Sequence, residues 1–123
     1  MHNQILLLVN LERSKYGVMP VALCWQLSQA AEYKSKDMRD KNYFSHSSPV
    51  YGSLPDMLKQ FNIPYLTAGE NIAKGQISPE AVMRAWTNSG SHLKNIINPA
   101  FNKIGVGYCA GSGTTYWTQI FTG

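Results

Sequence analysis

Three side chains in this sequence could do chemistry together: His46, Glu70 and His92. Glu70 stands in Ala68-Gly69-Glu70-Asn71-Ile72-Ala73, between a glycine and a short apolar run. A carboxylate carried into a buried strand costs free energy unless a cation, a hydrogen-bond donor or a ligand satisfies it. The partners on offer are His46, in Tyr43-Phe44-Ser45-His46-Ser47-Ser48-Pro49, and His92, in Ser89-Gly90-Ser91-His92-Leu93-Lys94-Asn95. Two neutral imidazoles plus a carboxylate are a minimal set for a divalent cation, zinc included, with coordination positions left open.

The same set supports other readings. Glu70 could act as general base on a held water in a metal-assisted hydrolase of peptidase or esterase type, or a histidine could activate Ser45, Ser47, Ser89 or Ser91. No serine lies in a nucleophile-elbow sequence, and serines in these positions also suit caps and turns. The three side chains could instead hold two loops onto a sheet with no ion at all. A fourth reading is a binding cleft. Tyr43, Phe44, Tyr51, Tyr65 and Trp86 would then line a seat for a lipid, another small amphiphile or a cell-wall component. Whether the site is catalytic stays open at this level.

These residues need a scaffold, and 123 residues are enough for one domain, 1–123, with a core of its own. Eleven basic against seven acidic residues give a net charge of +4. The dense basic run Lys34, Lys36, Arg39 and Lys41 is broken by Asp37 and Asp40, so it reads as a solvated helix face rather than a nucleic-acid surface. Cys24 and Cys109 have no metal-motif spacing and read as buried free thiols, with a disulfide as the alternative. Ile5-Leu6-Leu7-Leu8-Val9 is too short for a signal core and no stretch could span a membrane, so any export signal is expected to have been removed.

Periodicity places the elements. Helix is expected from Asn3 to about Tyr16, with Asn3 as cap and Gly17 as stop, and from about Val21 to Arg39, with Trp25 in the core. Asn10 and Arg13 share a side of the first helix and could bond neighbouring loops. A Ser-, Pro- and Gly-rich loop carrying His46 leads to a short helix from Ser53 to about Phe61. Gly69–Lys74 reads as a strand, and Ser78-Pro79 opens a helix that ends near Ser89-Gly90. Ser91 is expected to cap a final short helix that Pro99 ends. Lys103–Ala110 and Thr114–Phe121 form a hairpin, and Gly105 and Gly107 on one face ask for close approach by another backbone. The sum is an α+β, three-layer α-β-α sandwich around a small antiparallel sheet of about three strands.

The chain resembles the bacterial SCP-like branch of the CAP superfamily, the cysteine-rich secretory, antigen five and pathogenesis-related proteins. The resemblance rests on six segments in order: Leu8 to Arg13, Tyr43 to Pro49, Ala68 to Gly75, Trp86 to Ile96, Ile104 to Gly107 and Tyr116 to Phe121. It implies the same sandwich, a cleft with two histidines, His46 and His92, as metal ligands, and Glu70 as the first of two acids. Ser89 stands where animal and plant members carry the second acid, so the ligand set here is His46, Glu70, Ser89 and His92. It also implies an extracellular or cell-surface location; a monomer or weak dimer is expected.

Overall fold

The computed structural model describes all 123 residues. In chain order the elements are α1 (His2–Lys15), β1 (Ala22–Leu23), α2 (Trp25–Lys41), α3 (Leu54–Gln60), β2 (Ala68–Lys74), α4 (Pro79–Thr87), α5 (Gly90–Ile96), β3 (Lys103–Gly111) and β4 (Thr114–Thr122). The strands form one sheet in the order β1-β3-β4-β2. β4 pairs antiparallel with both β3 and β2, while the two-residue β1 adds parallel to β3. The sheet is therefore mixed and four-stranded, one short strand beyond the expected three. β2, which carries Glu70, is an edge strand.

Side-chain alternation along the strands sorts the helices into layers. Ile104, Val106, Trp117 and Phe121 pack with residues of α1, α4 and α5 on one face. On the other face Ile120 packs with Leu27, Ala30 and Ala31 of α2 and Met57 and Leu58 of α3. The bare positions of β3 explain how close α2 comes. A Cβ on Gly105 would stand 2.1 Å from the carbonyl carbon of Leu27, and one on Gly107 2.2 Å from that of Ala31. The α2 backbone thus lies directly on the strand.

Local signals work as read at several points. Ser53 caps α3 in a reciprocal box with Asp56, and Ser78 Oγ accepts from Ala81 N–H at 3.1 Å above Pro79. Ser112 and Gly113 both take positive φ, 53° and 79°, as the two-residue turn of a right-twisted hairpin requires. Cys24 and Cys109 are free.

Other readings need correction. α1 is capped at Met1, not Asn3. Residues 22–23 add to the sheet, so α2 starts at Trp25 rather than Val21. Trp25 is 68% exposed: it sits about 200° round the helix from Leu27, outside the stripe of small residues that meets the sheet. Ser89, not Ser91, is the cap position of α5. Lys34 is not solvated but 1% exposed, because it falls in the stripe Leu27, Ala31, Lys34, Met38. Arg13 is fully buried; its guanidinium donates to the carbonyls of Met19, Ile96, Asn98 and Phe101 at 2.6–3.1 Å. That one side chain ties α1 to two loops. Asn10 exchanges hydrogen bonds with the Val21 backbone.

Candidate functional site

His46 sits in the segment that leaves α2 through Asn42, whose φ of 54° turns the chain off the helix. Three contacts fix that segment. Lys34 Nζ donates to the His46 carbonyl at 2.9 Å, Ser48 Oγ donates to the buried carboxylate of Asp37, and the Tyr43 hydroxyl donates to the same carboxylate. Burial, then the bond to Asp37, push the Tyr43 phenol far above its ordinary value. Burial pulls the Lys34 ammonium down while the charges of Glu70 and Asp37 oppose it. Lys34 and Asp37 thus brace the histidine loop, a role hidden by their place in a basic run.

Glu70 points from β2 toward the α2 layer, and its side chain is only 3% exposed. Its Oε1 lies 2.8 Å from His46 Nδ1. A carboxylate only accepts, so Nδ1 carries the proton and Nε2 of His46 is left without a protein partner. The imidazole is 61% exposed and covers the acid. The hydrogen bond to Glu70 raises the His46 pKa, with burial working against it.

His92, on α5, does not touch Glu70. Its Nδ1 shares a 2.9 Å hydrogen bond with Ser89 Oγ, again leaving Nε2 free, and its carbonyl accepts from Asn71 Nδ2 at 3.0 Å. Burial and then the charge of His46 lower its pKa. Asn95 Nδ2 donates to the Glu70 carbonyl at 3.2 Å and to Asn71 Oδ1 at 2.9 Å, so α5 is pinned along β2.

Of the three side chains two are in direct contact, and the third stands across the edge of β2. Along that edge runs a groove of about 310 Å³ lined by Phe44, Ile72, Lys74, Gln76, Trp86, Ser89 and His92 among others. Of the five aromatics expected to line a cleft, Phe44 and Trp86 do so, whereas Tyr43, Tyr51 and Tyr65 do not. His46 and Glu70 border the groove rather than line it. No group of three His, Cys, Asp or Glu side chains is arranged to hold one metal ion. No helix is long and apolar enough to cross a membrane.

Comparison with known proteins agrees with this architecture. The model of the CAP family, cysteine-rich secretory proteins, matches residues 6–121. The chain belongs to the CAP family. It is 56% identical over 116 residues to the uncharacterized protein YkwD of Bacillus subtilis, covering 94% of this chain and 44% of that one. It is 37% identical over 118 residues to YlbC, an uncharacterized membrane protein of the same species, covering 96% of this chain and 33% of that one. The chain thus spans less than half the length of either relative. Among solved structures, an extracellular SCP-domain protein from Bacillus anthracis superposes with a TM-score of 0.91 at 38% identity, over 98% of this chain and 39% of that one. NaASP2, solved with Zn²⁺, shares the fold at 16% identity, with a TM-score of 0.74 over 97% of this chain and 77% of that one.

Proposed function

We propose that this CAP domain is an extracellular or surface ligand-binding module. In this reading the groove along β2 seats a small amphiphile or cell-wall component, and His46 and His92 form a weak site for a divalent cation such as zinc. One observation carries it: each imidazole has its Nδ1 engaged by its own partner, Glu70 or Ser89, and keeps Nε2 free. A carboxylate behind an imidazole orients a metal-ligating histidine and raises its basicity, and Glu70 offers this to His46. Two protein donors instead of three or four imply modest affinity. The extracellular SCP-domain relative supports the location. A hydrolytic role for Glu70 has less support, because the carboxylate lies under the His46 ring and reaches no open water position of its own. The test is calorimetric titration of Zn²⁺ into the wild type, His46→Ala and His92→Ala at pH 7.5. Each substitution should weaken binding tenfold or more; variants that bind as the wild type does would refute the cation site.

A further inference from the structure

We propose that the groove beside β2 seats the acetamido group of an N-acetylated amino sugar, its amide between the Ile72 N–H and the Gln76 side chain and its ring against Phe44 and Trp86. This rests on the groove being a seat for a cell-wall component and adds the chemical class of what occupies it.

Two groups of opposite sign stand open in this one groove. Thr67 and Gly123 exchange backbone hydrogen bonds, and Gly75 N–H donates to Thr115, so odd-numbered residues of the strand face β4. By alternation the N–H and C=O groups of Glu70, Ile72 and Lys74 point away from the sheet. The Ile72 carbonyl accepts from Trp86 Nε1 at 3.1 Å, whereas its N–H has no protein partner although the residue is buried. That is the open donor. The open acceptor is Gln76 Oε1, buried and unpaired. Gly75, at φ 101°, turns the chain after the strand, and the Gln76 carbonyl then accepts from Thr115 Oγ1 at 2.6 Å and Trp117 Nε1 at 3.0 Å, which fixes the residue. Buried polar groups are nearly always paired, so a donor and an acceptor left open in one groove mark a place for a ligand group that both accepts and donates.

A secondary amide is such a group, since its carbonyl oxygen accepts and its N–H donates. A peptide would bring a string of amides, but strand addition needs the Ile72 carbonyl, which the indole holds. One isolated amide fits instead. The rest of the lining extends the match to a sugar. Half-exposed Phe44 and the Trp86 indole offer carbon surfaces for the acetamido methyl and the C–H face of a pyranose. Lys74 adds an outward N–H and an outward C=O, both unpaired, and sugar hydroxyls can use both because they donate and accept. The Lys74 ammonium is engaged over the Tyr116 ring, 5.5 Å from its centroid, so the ligand needs no charge. A groove of about 310 Å³ is small enough to be filled by one ring, and His92 Nε2 is left to the cation.

The probes are N-acetylglucosamine, glucose, N-methylacetamide and octyl glucoside, each titrated into the ¹⁵N-labelled chain and followed by NMR. N-acetylglucosamine should move the Ile72 amide proton downfield. It should bind at least fivefold tighter than glucose, which lacks the amide, and than N-methylacetamide, which lacks the ring. Gln76→Met keeps the backbone carbonyl and its two hydrogen bonds, so the thermal melt should stay in place while the preference over glucose falls at least threefold. If glucose or N-methylacetamide binds as well as N-acetylglucosamine, if Ile72 stays still while other groove residues shift, or if Gln76→Met keeps the full preference, the acetamido inference is wrong. If octyl glucoside alone perturbs the groove, the inference is wrong as well and the groove remains a ligand seat. If none of the four perturbs the groove, both fall.

Discussion

The two histidines lie on opposite sides of their ordinary value of 6.5: the hydrogen bond to Glu70 raises His46 above it, while burial and then the charge of His46 lower His92 below it. Imidazole titration by NMR should show the split, and Glu70→Gln should bring His46 back toward 6.5. Because the folded pKa of His46 is raised, the stabilisation from this pair is fully present below 6.5 and is lost as pH rises through the higher folded value. Glu70→Gln should therefore cost more stability at pH 5.5 than at pH 8.5, measured by urea melts. Arg13 is the other residue whose loss should be severe. Arg13→Met strands four carbonyls that the guanidinium now serves, and should cost at least about 3 kcal/mol. At this scale the sequence pointed to the contact of Glu70 with His46, since a carboxylate in an apolar strand advertises a partner, but not to the pairing of His92 with Ser89 instead of the acid. It hid Lys34 and Asp37, whose charges look like solvent-facing residues until the stripe through Ala31, Lys34 and Met38 is followed round α2.

Among the elements, the contact of α2 with β3 tolerates the least. Gly107→Ala would drive a methyl into the backbone of α2 at 2.2 Å from Ala31 and should cost about 3 kcal/mol or more. Gly90→Ala, with open space around the added carbon and a helical site, should be neutral or stabilise by up to about 1 kcal/mol. Thermal melts of the pair separate steric from conformational effects. The glycine pattern of β3 was readable because alternation turns missing side chains into a statement about the facing layer. The first strand was not, since two residues held by parallel pairing to β3 carry no periodic signal. Trp25 misled for a related reason: apolar character says nothing about azimuth when a helix meets its sheet through alanines. The start of α5 at Gly90 was missed because Ser89 spends its hydroxyl on His92 and Ser91 rather than on a backbone N–H.

For the molecule as a whole, the site is a meeting of layers across the free edge of β2. The loop after α2 brings Phe44 and His46 from one side, α4 and α5 bring Trp86, Ser89 and His92 from the other, and the strand between them carries Glu70. Six short segments in order made the family legible, because each belongs to one of these converging elements and their order fixes the topology. Crystals soaked in Zn²⁺ test the shared site most directly. An anomalous peak about 2.1 Å from Nε2 of both His46 and His92, with Glu70 still on Nδ1 of His46, is the expected result. A peak confined to His2, or none at either ring, would contradict it.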